Sequence, residues 1–223
     1  MSNYSNRFFA DDLHINNKSP RMPVCLLIET VHEHSKARIE NQLKPFLEKL
    51  INNKTLRNSV ELSVITYGYD PVNQIKEVIK MQLLEGNIDI ELKGYKGTGL
   101  CCLNEALQFS TDKIFRVLKG YKEFSLSYYR PVLVIFSFGD FNDISEAKDK
   151  ILPSVKAGRI DILPASDKKE LAVFSNGKLI NLNNIEELFE KITQSLTKLS
   201  RSSSDAYGDF WKTGVDWEEI IKQ

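Results

Sequence analysis

The residues able to do chemistry lie in a few short clusters. His32-Glu33-His34 offers an imidazole pair to a transition metal. Residues at i and i+2 point to opposite sides of an extended chain, and no cysteine or third histidine is near in sequence. A zinc site needs three or four convergent ligands, so the cluster reads as a solvated loop. Cys101 and Cys102 open a helical pattern, where the helix dipole can lower a thiol pKa. A nucleophile there would use His32 or His34 as base. No third group to orient that base is evident, and small core residues are the simpler reading. Gly94-Tyr95-Lys96-Gly97-Thr98-Gly99 is glycine-rich but fits neither the Walker nor the dinucleotide pattern. Tyr69, Tyr95, Phe138 and Phe141 form an aromatic set on segments where polar residues are usual. Exposed together they are typical of binding hot spots; alternatively they fold inward over a sheet end.

The elements that would position these residues follow from hydrophobic period. Pro23 to Ile28 is a continuous apolar run ending at Glu29, which suits a central parallel strand buried on both faces. After a polar loop, Thr30–Ser35, the residues Ile39, Leu43, Phe46, Leu47, Leu50 and Ile51 recur at helical spacing. Pro45 should kink that helix or start its second half. Val60–Tyr67 reads as a second strand, with short strands near Ile75–Met81 and Ile88–Leu92. A long helix follows from Leu103 through Leu118. Pro131–Phe136 is a buried strand, and Leu27 and Val134 should lie in adjacent, fully buried strands. A helix over Asp143–Ala157, a strand over Arg159–Pro164, a short last strand at Lys178–Leu182 and a helix from Ile185 to Leu199 complete the pattern. Alternating strands and helices imply right-handed βαβ units: an α/β fold with a doubly wound, mostly parallel central sheet flanked by helices.

Composition bounds the function. The chain has 223 residues, 42% hydrophobic and 27% charged, the profile of an ordinary globular protein. Thirty basic and thirty acidic side chains cancel, which gives no electrostatic reason to expect nucleic acid or a membrane as partner. No stretch approaches the roughly 20 apolar residues that span a bilayer. Met1–Met22 lacks the apolar run of a signal peptide, so a cytoplasmic location with reduced cysteines is expected. The organisation reads as an N-terminal arm over 1–22, one domain over 23–200 and a C-terminal tail over 201–223. That tail carries Tyr207, Phe210, Trp211 and Trp217, more aromatics than disordered tails hold. It either packs on the domain's own surface or inserts into a partner, with Trp211 or Trp217 as anchor.

Ligands of open α/β sheets bind at the C-terminal ends of the strands. The loops expected there are Thr30–Ser35, Gly68–Pro71, Tyr95–Gly99, Ser137–Asp143 and Ala165–Asp167. Their order, with Pro-Val-Cys-Leu-Leu-Ile-Glu-Thr at 23–30, Val-Glu-Leu-Ser-Val-Ile-Thr-Tyr at 60–67, Lys-Gly-Thr-Gly-Leu at 96–100 and Ser-Tyr-Tyr-Arg-Pro-Val-Leu-Val-Ile-Phe-Ser at 127–137, resembles a von Willebrand factor type A (VWA) domain. The bacterial tellurium-resistance type is the nearest in pattern, chiefly through Tyr129-Arg130-Pro131. The resemblance implies a three-layer, Rossmann-like sandwich with a metal-ion-dependent adhesion site that binds Mg²⁺. Its first loop reads Asp-x-Ser-x-Ser, and the matching positions here are Glu29, Val31 and Glu33. Thr98 matches the threonine of the second loop, and Phe138 stands where the third supplies an aspartate. Mg²⁺ demands near-octahedral oxygen geometry, so Val31 and Phe138 make this a degenerate site, although Asp140 can reach back.

The function expected is therefore a non-enzymatic protein-interaction module of a bacterial stress-response or defence system. It would bind a protein partner through the C-terminal sheet edge, without metal or other cofactor, using Tyr69, Tyr95, Thr98, Phe138, Asp140, Phe141, Trp211 and Trp217. One alternative keeps a working Mg²⁺ site that captures a partner's carboxylate. A second is an enzyme that uses Cys101 or Cys102.

Overall fold

A computed structural model describes residues 19–30, 33–68, 75–84, 88, 102–138, 143–181 and 184–201, with backbone alone at 33–36, 38, 185 and 197–201. The elements in chain order are β1 (Met22–Glu29), α1 (Glu33–Asn52), α2 (Lys54–Ser59), β2 (Val60–Tyr67), β3 (Ile75–Leu83), α3 (Leu103–Glu123), β4 (Val132–Ser137), α4 (Ile144–Lys156), β5 (Asp161–Ser166), a 3₁₀ helix (Lys169–Ser175) and α5 (Ile185–Arg201). The five strands form one sheet in the order β3-β2-β1-β4-β5. β1 pairs in parallel with β2 and β4, and β4 with β5, whereas β3 runs antiparallel at the edge. This is a doubly wound α/β sandwich of three layers, with the antiparallel edge strand that mixed sheets of this kind often carry.

Side chains alternate across a strand, so a strand buried on both faces must be apolar throughout. In β1, Met22, Val24, Leu26 and Ile28 enter one core with α1, α2 and α5. Cys25 and Leu27 enter the other with α3, α4 and the 3₁₀ helix. Leu27 and Val134 are both fully buried in the adjacent strands β1 and β4. They face opposite cores, because Leu27 is in register with Ile135 and Val134 with Leu26.

Several boundaries differ from expectation. α1 begins at Glu33, inside the segment read as loop, and continues through Pro45 as one helix. β1 starts at Met22, one residue before the expected Pro23, and Arg21 just ahead of it is buried. The last strand expected at Lys178–Leu182 is reduced to a single bridge between Ile180 and Ala165. Most of the strand expected at Ile88–Leu92 lies outside the described residues; Ile88 itself packs on the first core.

Candidate functional site: the C-terminal edge of the sheet

The exits of β1, β2, β4 and β5 are joined by buried hydrogen bonds. Glu29, the last residue of β1, is fully buried. Its Oε2 accepts hydrogen bonds from the Ser137 hydroxyl and from the Phe138 backbone N–H at 2.7 Å. The Ser137 carbonyl accepts from the Ser166 hydroxyl at 2.6 Å. Ser166 Oγ in turn accepts from the Lys168 N–H at 3.0 Å. On the other side, the Thr30 N–H and hydroxyl both donate to the Tyr67 carbonyl, at 2.8 and 3.2 Å. Neighbouring strands lie about 4.8 Å apart, a gap the extra methylene of a glutamate helps to span. Glu29 thus brackets the β4 exit directly.

That use of Glu29 decides how the edge compares with a Mg²⁺ site. One of the two Glu29 carboxylate oxygens, Oε2, already meets two donors. Phe138, at the position of a ligand aspartate, is half-buried and packs on the α1–α5 core. Among the described residues no three His, Cys, Asp or Glu side chains are grouped to hold a metal. Of the described residues, Glu29 and Phe138 do not supply the oxygen set that octahedral Mg²⁺ requires. Of the other expected site residues, Tyr69, Tyr95, Thr98, Asp140, Phe141, Trp211 and Trp217 lie outside the described residues, as does Val31. Glu33 sits in the first turn of α1, with its side chain undescribed. For Phe138 the inward alternative is realised in part, since the ring leans on the core while keeping some exposure.

The described thiols are held protonated. Burial pushes Cys25 up to about 12, opposed by hydrogen bonds to Ser63 and Ser110. Cys102 occupies the N-cap position of α3, where its side chain makes no capping bond. Its pKa is raised by burial, against a lowering hydrogen bond with the Gly68 backbone. Desolvation by burial therefore sets the direction of the shift at this thiol. Cys101 and the side chains of His32 and His34 lie outside the described residues.

Two polar arrangements escaped the sequence reading. Asp143, at the N-cap position of α4, accepts a hydrogen bond from the Asn104 N–H at 2.7 Å. It thereby satisfies one of the unpaired N–H groups in the first turn of α3. An acid just ahead of an apolar helical pattern was the available signal. At the opposite pole, Arg21 Nε lies 3.4 Å from Glu61 Oε1, and the Tyr121 hydroxyl donates to Glu61 Oε2. Arg21 and Glu61 are 1% and 4% exposed, and Tyr121 is fully buried. Burial, then the adjacent Glu61 charge, holds the Tyr121 phenol well above its usual pKa. Nothing in the spacing marks this trio. Nearby, Arg130 pairs with Asp161 at 3.1 Å. A Cβ at Gly158, where φ is +67°, would stand 3.1 Å from the Arg130 guanidinium, so glycine suits both the backbone and the contact.

With the fold and edge in hand, comparison with known proteins adds little. No protein-family model and no curated sequence matches the chain. Two structures of proximal thread matrix protein 1 from the mussel byssus are similar to it at 9% sequence identity. They have TM-scores of 0.47 and 0.41 and cover 81% and 79% of this chain. The chain spans 46% of the length of either structure.

Proposed function

We propose that this chain is a VWA-type protein-interaction module that binds a protein partner through the C-terminal edge of its sheet without a metal ion. The observation that carries the reading is the inward turn of Glu29 onto Ser137 and Phe138. The residue at the first ligand position serves to brace the edge, which leaves the surface above it to side-chain recognition. In the family this edge works by capturing a partner's carboxylate through the cation; without the cation that attraction must be replaced. Aromatic burial is a sufficient substitute. Each ring can bury roughly 150–250 Å², and at about 25 cal/mol per Å² two rings supply several kcal/mol before the cost of association. Phe138 keeps part of its ring exposed at this edge. Tyr69, Tyr95, Thr98, Asp140, Phe141 and the Trp-bearing tail supply the remaining candidates. The resemblance implies a partner within a bacterial stress-response or defence system of the tellurium-resistance kind, in the cytoplasm. Among the described residues no helix is long and apolar enough to cross a membrane.

The test is affinity purification of the tagged protein with and without EDTA, repeated for Phe138→Ala combined with Tyr95→Ala. The reading expects partner recovery to be indifferent to EDTA and about tenfold weaker in the folded double variant, a change of roughly 1.4 kcal/mol. Loss of the partner in EDTA would replace this reading with a working cation site. Unchanged recovery in the double variant would remove this edge as the interface.

A further inference from the structure

The outer edge of β5 carries an unmet pair of backbone groups. The Asp161 N–H bonds to the Pro131 carbonyl, so Asp161, Leu163 and Ala165 face β4 while Ile162, Pro164 and Ser166 face outward. Ile180 meets the second half of that edge. Its N–H donates to the Pro164 carbonyl at 2.8 Å, and its carbonyl accepts from the Ser166 N–H at 3.1 Å. Ile162 has no such neighbour among the described residues, and it is only 2% exposed. A shielded backbone N–H and carbonyl without partners are rare in native structures, because each costs about as much as a lost hydrogen bond. Beside them lies a half-open cavity of about 220 Å³ with walls of two kinds. Val155, Leu163, Phe174 and Ile180 are apolar, whereas Glu187 and Lys191, one turn apart on α5, bring opposite charges. Both are half-buried, and neither head group pairs with a described residue, although i, i+4 is the spacing of a helical ion pair.

We propose that this cavity binds a free α-amino acid with an apolar side chain. An α-amino acid carries one acceptor and one donor on a single residue unit, as does the partner of a strand residue in a hydrogen-bonded antiparallel pair. Its carboxylate accepts from the Ile162 N–H and meets the charge of Lys191. Its ammonium donates to the Ile162 carbonyl and meets the charge of Glu187. Hydrogen bonds with an ionised partner are roughly twice as strong as neutral ones, so the zwitterion binds these backbone groups better than water does. A hydrocarbon side chain then covers the apolar wall of Val155, Leu163, Phe174 and Ile180. The mixed lining suits that combination of charge and hydrocarbon. Size agrees, since the cavity is below the roughly 300–1,000 Å³ of drug-sized ligand sites. A strand running on past Ile162 toward Ser166 would meet Ile180, which already holds that edge, so the site takes one residue and not a through-going chain.

The test is titration of the isotope-labelled full chain with L-leucine, followed by heteronuclear NMR. The Ile162 amide resonance should shift saturably, and its hydrogen exchange should slow at saturation. D-leucine, isocaproate and isoamylamine each lose one of the three anchors and should bind at least about tenfold more weakly. Lys191→Ala should weaken L-leucine by about tenfold at unchanged far-UV circular dichroism. Glu187→Ala carries the same test should Lys191→Ala fail to fold. No saturable shift up to the solubility limit of leucine overturns the proposal and leaves ordered water alone beside Ile162. Isocaproate or D-leucine binding as tightly as L-leucine also overturns it, because the contact would then be apolar only. N-acetyl-leucine amide binding as tightly would assign the site to a peptide segment and likewise overturn it.

Discussion

Glu29 illustrates how a residue can be located correctly and its use still be unreadable. The end of an apolar run marks it as the strand's exit, and the resemblance marks it as a ligand position. Its actual partners, Ser137 and Phe138, stand 108 and 109 residues away, and no local pattern announces which donors a fold will bring to an acid. The same holds at Cys102. The helix start was legible and the dipole argument sound, but burial, a tertiary property, moves the thiol the other way. The bracket makes a specific demand. Glu29→Ala leaves a buried hydroxyl and a backbone N–H without their acceptor, each worth about 1–3 kcal/mol. Urea denaturation should show a loss of about 2–5 kcal/mol, and a smaller one for Glu29→Gln, whose amide oxygen can still accept. A loss below about 1 kcal/mol for Glu29→Ala would mean that water replaces the carboxylate and the bracket is not structural.

At the scale of elements, apolar runs identified β1, β2 and β4 to within a residue, because a strand buried on two faces leaves no choice of residue type; helical period found the start of α3 but not its last five residues, Lys119–Glu123. The direction of β3 was also available. Its connection from Tyr67 to Ile75 is shorter than the dozen or so residues a parallel crossover needs. What period cannot reveal is polar chemistry inside the core. Arg21 precedes β1, Glu61 is the second residue of β2 and Tyr121 lies near the end of α3, so their contact ties three elements at the pole opposite the candidate site. Breaking one side of such a buried pair strands the other charge. Glu61→Ala should destabilise by about 3–5 kcal/mol in urea denaturation. The double variant Arg21→Met with Glu61→Leu should recover much of that loss, since apolar replacement of a whole buried pair is often neutral. If the double variant is as unstable as the sum of its single substitutions, the ion pair itself, and not merely relief from an unpaired charge, holds these elements together.

For the whole molecule the question is whether a divalent cation belongs to the folded state, and stability answers it without knowledge of the partner. A ligand that binds only the native chain adds about 2.7 kcal/mol when present at a hundred times its dissociation constant. For a chain of this size each kcal/mol raises the melting temperature by roughly 2–4 °C. A working site would thus shift melting by about 5–10 °C in millimolar Mg²⁺, well above the resolution of a thermal scan. The residues argue against that shift on two counts: Glu29 Oε2 accepts from Ser137 and Phe138, and Phe138, whose ring packs on the core, offers no side-chain oxygen at a ligand position. Thermal scans in EDTA, Mg²⁺ and Mn²⁺ should therefore superimpose. A rise of several degrees that disappears in Thr98→Ala would show that the second loop completes a site despite Phe138, because a threonine hydroxyl at that loop has no other reason to couple stability to a cation. A rise that Thr98→Ala leaves intact would point to acidic surface residues instead, and salt at matched ionic strength would then reproduce it.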